Sequence, residues 1–176
     1  MWLYLHPDIE YGVTDLAQRL GVPLSTLHRE VVRLDTAGLV SSRSLGRNRL
    51  IRANLAHPAA GPLAKLLELT FGPRAVIAEE FAIPAAEHVV VFGSWAARYA
   101  GEAGPPPHDI DVLVVGNVDR ADVYEAADRA STRLGIEVNT VVRSPSQWAD
   151  PGDALVTQIQ ASAHIEIRDI PDAVRA

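Results

Sequence analysis

The sequence of 176 residues contains no cysteine and no long apolar run. Without cysteine the chain cannot form a disulfide bond or a thiolate metal site, and its histidines do not have the spacing of a structural zinc site. No stretch approaches the roughly 18 to 20 consecutive apolar residues of a transmembrane helix. The N-terminus lacks the basic and then apolar segments of a secretory signal. These absences predict a cytoplasmic protein with no membrane segment.

Charge is distributed unevenly along the chain, and the sign of the net charge changes after about residue 60. The net charge is −6, yet residues 1–60 carry a net charge of +2 and the remainder carries −8. About half of the residues are apolar, which is enough for a buried core. A basic segment joined to an acidic one predicts two domains with different partners, and nucleic acid is the candidate partner of the first.

Two short helical patterns occur in the basic segment. Residues 12–20 form the first, and the turn Gly21-Val22-Pro23 separates it from the second. Ser25 has the position of an N-cap for this second helix, and Gly38 has the position of its C-terminal glycine. Leu27, Val31 and Leu34 then define its buried face. A tight helix–turn–helix of this size is the outline of a DNA-binding element.

A basic hairpin follows the second helix. Residues 39–44 and 49–54 are predicted to form its two strands, and the tip at 45–48 contains Gly46 and Asn48. With the sequence LSTLHR at 24–29 and AGLV at 37–40, the pattern resembles the winged helix–turn–helix of arsenic-repressor-like regulators over residues 11–54. The resemblance implies a homodimer that binds double-stranded DNA on paired half-sites. The cysteines of metal-sensing members are absent, so metal sensing is not implied.

The candidate DNA-binding residues are polar side chains off the buried face of the second helix and basic side chains of the hairpin. They are Ser25, Thr26, His28, Arg29, Arg33, Arg43, Arg47 and Arg49, with Arg52 as a further hairpin arginine. Serine and threonine in such positions mainly contact phosphates, whereas arginine can read guanine. A solvated basic surface is the alternative, although the hairpin contains no acid between Ser41 and Ala53.

The second half of the chain is organised around two apolar strands, Val89 to Phe92 and Val112 to Val115. Gly93-Ser94 opens an alanine-rich helix after the first strand, and Asp109-Ile110-Asp111 leads into the second. Side chains two apart on a strand share a face, so both carboxylates emerge side by side. Such oxygen ligands suit Mg²⁺ together with phosphate oxygens. The amides at the start of the Ser94 helix can bind phosphate.

Gly93-Ser94 followed by Asp109-x-Asp111 resembles the signature of the minimal nucleotidyltransferases in the DNA polymerase beta superfamily, over residues 81–167. The resemblance implies that Asp109 and Asp111 bind Mg²⁺ and that Gly93 and Ser94 hold a nucleoside triphosphate, ATP being favoured. Arg98 is a further candidate for a phosphate contact. Two solvated acids at a strand entrance, an ordinary N-cap at Ser94 and an exposed helix arginine are the alternatives.

The third carboxylate of the family is the main departure. On the strand predicted at 136–142, alternation places Glu137, Asn139 and Val141 on one face. Asn139 aligns with the missing aspartate, which leaves Glu137 as the third catalytic candidate. Because asparagine is a neutral ligand, a second metal ion would be held less well. Three functions therefore stay open: nucleotide transfer, nucleotide sensing by a transcriptional regulator, and antitoxin-like pairing with a small helical toxin.

The patterns together predict an α/β (α+β) chain with two domains. A winged helix–turn–helix is expected at 1–57, a helical connector at 58–80, and a nucleotidyltransferase-like domain at 81–176 with a mixed β-sheet flanked by helices. The connector contains two helical patterns, 63–71 and 74–81, separated by Gly72-Pro73.

Overall fold

The computed structural model describes residues 1–167 and divides the chain into two compact units. The first unit runs from Met1 to Gly72 and the second begins at Pro73. Each contains both helices and strands, which confirms the predicted α+β class. Within the described residues, no helix has the length and apolar character needed to cross a membrane.

The first unit is a winged helix. Its elements in chain order are α1 (Trp2–Leu5), β1 (Tyr11–Gly12), α2 (Val13–Arg19), α3 (Leu24–Thr36), β2 (Val40–Leu45), β3 (Asn48–Ala53) and α4 (Ala60–Phe71). The strands form an antiparallel sheet in the order β1-β3-β2, and β2 and β3 are the wing hairpin. The helix–turn–helix and hairpin predicted from the sequence are both present.

Two details of α3 differ from the prediction. The N-cap is Pro23, so Ser25 lies inside the helix instead of capping it. Val31 is buried and Leu27 is partly buried in the core, whereas Leu34 is 37% exposed. The apolar face of α3 is therefore narrower than the spacing of its leucines predicted.

The helix α4 belongs to the first unit instead of forming a connector. Ala60, Leu63, Ala64 and Leu67 lie at helical spacing and pack against the core that Trp2 and its neighbours form. The second unit begins directly after Gly72, the C-cap of α4. The observed division thus lies 15 residues beyond the boundary expected at 57, because burial of one helical face assigned α4 to the winged helix.

The second unit is a mixed sheet with helices on both faces. Its elements are α5 (Pro73–Glu80), β4 (Ala86–Phe92), α6 (Gly93–Tyr99), β5 (Asp109–Gly116), α7 (Arg120–Leu134), β6 (Glu137–Arg143), α8 (Pro145–Trp148), α9 (Ala154–Ala161) and β7 (Ile165–Glu166). The strand order is β6-β5-β4-β7; β5 and β6 are parallel, and the other neighbouring pairs are antiparallel. The mixed sheet flanked by helices is as predicted.

Alternate residues of β5 are buried against different layers. Ile110, Val112 and Val114 pack with residues of α5 and α7. Leu113 and Val115 pack on the other face with residues of α8 and α9. Since side chains alternate along a strand, Asp109 and Asp111 lie on the same face as Leu113. The two acids therefore extend the α8–α9 face of the sheet at the end where β5 begins.

Candidate functional site

The acid pair of β5 lies beside the junction between β4 and α6. Asp111 is paired across the sheet with Phe92, the last residue of β4, and Gly93 begins α6 immediately afterwards. Both aspartates are partly buried. The chain therefore brings the Gly93-Ser94 turn and the carboxylates to one place, although 17 residues separate Gly93 from Asp111 along the chain.

Gly93 contacts the carboxylate of Asp111 directly. Its φ is +74°, a conformation that favours glycine, and a Cβ atom at this position would overlap Asp111 Oδ2. A side chain at residue 93 is thus excluded by both the backbone conformation and the available space. The glycine of the predicted motif allows the acid to lie against the first turn of α6.

The strand β6 has an asparagine at the position that aligns with the third carboxylate of the family. Asn139, the residue that aligns with the missing aspartate, is in register with Asp111, and its Nδ2 donates to Asp109 Oδ2 at 3.0 Å. Glu137 is in register with Asp109, and it is exposed. Within residues 1–167, no three His, Cys, Asp or Glu side chains form a group that could hold a metal ion.

The acid pair is electrostatically strained. Burial raises the pKa of Asp111, and the neighbouring charge of Asp109 raises it further. Burial is the larger of the two causes that raise it. A proton or a cation bound between the carboxylates would relieve this repulsion, so the pair favours a positive charge in the cleft.

The other predicted nucleotide contacts, Ser94 and Arg98, lie on α6. Ser94 is exposed in the first turn, and the N-cap Phe92 provides no side-chain cap. Arg98, in contrast, donates through Nη1 to the carbonyl oxygen of Glu102, and its guanidinium lies against Gly104. Arg98 therefore binds the loop that follows its own helix, a contact that the sequence did not indicate.

The predicted DNA-binding residues of α3 are on its exposed side. Ser25, Thr26 and His28 are exposed, and the side chains of Arg29 and Arg33 are 73% and 74% exposed. Both arginines lie within ion-pair distance of Glu30 on the same helix. Exposed pairs of this kind contribute little stability, so these arginines can exchange Glu30 for another anion at small cost.

The wing arginines are not equivalent. Arg43 Nε donates to Glu10 Oε1 at 3.0 Å, and hydrogen bonding from Arg43 lowers the pKa of Glu10. Arg49 Nη2 donates to Asp35 Oδ2 at 2.7 Å. Sequence reasoning missed both pairs, because the acids lie 33 and 14 residues away from their arginines. Arg47 and Arg52 are exposed, and Arg47 lies at the hairpin tip.

No family model matches the chain, and no curated protein matches it. Solved structures give partial overlaps. Reduced HlyU from Vibrio cholerae is 23% identical, with 39% of this chain and 70% of that chain covered at a TM-score of 0.34. NolR from Sinorhizobium fredii is 22% identical, with 40% and 70% covered at a TM-score of 0.33.

A third overlap is with the Shewanella oneidensis complex of a tri-AMPylated HEPN toxin and the MNT antitoxin. It is 15% identical, with 55% of this chain and 73% of that chain covered at a TM-score of 0.34. Overlaps with TM-scores this low do not establish a shared fold.

Proposed function

We propose that the second unit uses Mg²⁺ to transfer a nucleotide from a nucleoside triphosphate to a hydroxyl acceptor. ATP is the favoured triphosphate. The observation that supports this proposal is the contact between Gly93 and the carboxylate of Asp111. It brings an acid pair for a metal ion and the amides of a helix start for phosphate to one cleft. Two solvated acids would need neither the glycine conformation nor the close approach.

The donor set fits Mg²⁺ in its chemistry. Asp109 and Asp111 supply carboxylate oxygens, the ligand type that Mg²⁺ takes together with phosphate oxygens. The raised pKa of Asp111, due to burial and then to Asp109, is the mark of a pair that gains from a bound cation. When bound, the ion would polarise a phosphoryl oxygen and neutralise charge that develops on it.

The residues of the cleft divide the remaining tasks. Asn139 donates to Asp109 and so fixes the orientation of that carboxylate. Gly93 and Ser94 would hold the phosphates by their backbone amides. Glu137, which is in register with Asp109, is proposed as the third catalytic carboxylate. In the reaction, the acceptor hydroxyl loses its proton to water as its oxygen bonds to the α-phosphorus. The bond between the α-phosphorus and the oxygen of the β-phosphate breaks, and pyrophosphate leaves.

One assay tests the transfer. The full chain is incubated with Mg²⁺ and α-labelled triphosphates, alone and with a cell extract as a source of acceptors, beside the Asp111→Asn variant. Label that appears on an acceptor with the wild type only supports the proposal. Pyrophosphate release that depends on Asp111 would show turnover even when the acceptor is small. Equal labelling by both proteins would refute the assigned role of Asp111.

A nucleotide sensor that performs no transfer is the second candidate. Asn139 favours it, since the position in register with Asp111 holds a neutral amide and no three His, Cys, Asp or Glu side chains of the described residues could hold a metal ion together. This candidate predicts saturable triphosphate binding, lost in Asp111→Asn, without label on any acceptor. A ligand of this kind would change DNA affinity only if it bound two conformations of the protein differently.

Antitoxin-like pairing with a small helical toxin also remains a proposal. Under this proposal the acceptor of the nucleotide would be a protein, so the label in the transfer assay would migrate with a polypeptide and would be sensitive to protease. Label on a nucleic acid or on a small molecule would contradict it.

The first unit is proposed to bind double-stranded DNA through α3 and the wing. Arg29 and Arg33 on α3 and Arg47 at the hairpin tip are the exposed arginines that support this proposal. Arg29→Ala should weaken binding to a preferred site, and Arg47→Ala should weaken binding to all sequences and lower the salt slope by about one. Fluorescence anisotropy with DNA fragments at several salt concentrations measures both. Unchanged affinity in both variants would contradict the assignment.

A further inference from the structure

The strand β6 has an open edge in the part of the chain that the structure describes. It is the terminal strand of its sheet, and within residues 1–167 its strand partner is β5. It is seven residues long, with the sequence EVNTVVR. Natural proteins usually protect such an edge with proline, a bulge or a charge in the middle of the strand. In β6 the charges are at the two ends, Glu137 and Arg143.

The side chains of β6 are self-complementary around Thr140. In an antiparallel pairing centred on this residue, Glu137 of one copy faces Arg143 of the other. Val138 faces Val142, and Asn139 faces Val141. Directly opposed residues project to the same face of a sheet. The charged pair is therefore on the α8–α9 face, whereas Val138 and Val142 both pack on the α5–α7 face.

We propose that two copies of the chain associate through antiparallel pairing of their β6 strands about Thr140. The association joins the two described sheets into one continuous sheet. It satisfies the backbone groups along both edges that have no partner, whereas the amide of Val138 already donates to Ser131 Oγ at 3.0 Å. Opposite charges at each end fix the register, because a shift by one residue would move every opposed side chain to the wrong face.

Both charged side chains are available for this contact. Glu137 is exposed. Arg143 makes its own intrachain bonds through Nε, to Asp153 Oδ2 at 2.7 Å, and through Nη1, to the carbonyl oxygen of Val142 at 3.2 Å. These bonds hold the Arg143 guanidinium in place on the α8–α9 face, and Nη2 remains to meet Glu137 of the second copy.

The association would also complete one side of the cleft. Asn139, which donates to Asp109, lies at the open edge and would have Val141 of the second copy directly beside it. The cleft would then be bordered by a strand on the side where β6 now ends the sheet. The proposal depends on the edge and register of β6, and it stands or fails independently of nucleotide transfer.

The absence of cysteine from the chain makes a direct test possible. Residues directly opposed in an antiparallel pair have Cα atoms about 4.5 to 5.5 Å apart, within the range of a disulfide. Thr140→Cys should therefore form a covalent dimer under mild oxidation, at least about tenfold faster than Thr132→Cys on the exposed side of α7. Non-reducing gels of the full chain give the rates, and circular dichroism checks the fold of each variant.

A charge change tests the register independently of the cysteine position. Adding Glu137→Lys to the Thr140→Cys variant places a second basic side chain opposite Arg143, and the cross-linking rate should fall several-fold. Glu125→Lys makes the same change of charge at an exposed position of α7, outside β6, and should leave the rate unaltered. The proposal is overturned if Thr140→Cys links no faster than Thr132→Cys, or if the Glu137 and Glu125 changes have equal effects.

Discussion

At Gly93 two independent constraints act on one residue. The φ of +74° disfavours any side chain, and the Asp111 carboxylate occupies the space that a Cβ atom would need. Gly101, later in the same unit, has a φ of +89°, and the space that a Cβ atom would take there has no other atom within 4 Å. Substitutions at these two glycines therefore distinguish the energetic cost of the backbone conformation from the cost of the close contact with Asp111.

We predict that Gly93→Ala destabilises the protein more than Gly101→Ala does. The left-handed conformation should cost about 1 to 2 kcal/mol in either variant. The contact with Asp111 should add about 1 to 3 kcal/mol at Gly93, where an atom must move. Urea unfolding measures both, and triphosphate binding should be lost in Gly93→Ala alone. Equal free energies of unfolding for the two variants would show that the contact with Asp111 adds no cost.

Asp111 leads to a prediction on pH. Its pKa is raised by burial and then by Asp109, so the folded protein binds this proton more tightly than the unfolded chain does. Ionisation of Asp111 therefore lowers the free energy of unfolding as pH rises through the raised pKa. Below about pH 4, the ordinary pKa range of an aspartate, this loss of stability is absent. Without Mg²⁺, Asp111→Asn should be more stable than the wild type at neutral pH, and the difference should shrink in acid.

The control for this prediction is Asp128→Asn, which removes the same charge from an exposed position on α7. Urea unfolding at several pH values compares the three proteins. Addition of Mg²⁺ should stabilise the wild type and leave Asp111→Asn unchanged, since an ion that binds only the folded state adds stability by mass action. A wild type that is more stable than Asp111→Asn at neutral pH in the absence of Mg²⁺ would contradict the argument.

At the scale of elements, Asp35 links α3 to the wing. Its carboxylate accepts hydrogen bonds from Arg49 at 2.7 Å and from Ser42 at 3.0 Å, so the helix and both strands of the hairpin meet at one acid. The Arg49 side chain is 28% exposed, less than a solvated surface arginine. The orientation of the hairpin relative to α3 therefore depends on a polar contact as well as on the apolar core.

We predict that Arg49→Ala and Arg47→Ala have different effects. Loss of the Arg49 contact should lower the free energy of unfolding by about 1 kcal/mol, since the pair is partly screened by solvent. Arg47→Ala at the exposed tip should change stability by less than about 0.5 kcal/mol. Urea unfolding compares them, and DNA titrations show whether Arg47→Ala alone flattens the salt dependence. A larger loss of stability in Arg47→Ala would reverse the assignment.

At the scale of the whole molecule, each unit has its own apolar core. The core of the first unit is built from α1, α2, α3, the wing and α4, and Ile51 is its most deeply buried residue. The core of the second unit covers both faces of the mixed sheet. A unit with a closed core can fold alone when the chain is divided at its boundary.

We predict that the fragments 1–72 and 73–176 fold separately, whereas a fragment that ends at residue 57 does not reach the same stability. The shorter fragment lacks α4 and would expose the face of the core that Leu63 and Leu67 cover. Circular dichroism and urea unfolding of the three fragments test this prediction. Equal stability of 1–57 and 1–72 would contradict the assignment of α4 to the first unit.

Local patterns in the sequence were sufficient for most elements and for the position of the acid pair. The spacing of Asp109 and Asp111 on an apolar strand determined their common face, because alternation is a property of any strand. Alternation also placed Glu137 and Asn139 on one face of β6, whereas their register with Asp109 and Asp111 came from the structure. The caps and the domain boundary were less accurate: Pro23 caps α3, and α4 packs on the first unit.

The sequence by itself determined the two-part organisation, the fold class, and the presence of a glycine, a serine and two acids around one pair of strands. Only the tertiary structure decided that Gly93 lies against Asp111, that Arg98 binds its own loop, and that Arg43 and Arg49 are paired with Glu10 and Asp35. Side-chain periodicity is encoded by neighbours in the chain, so it can be read locally. A contact between residues distant in the chain depends on how whole elements pack, which no local pattern specifies.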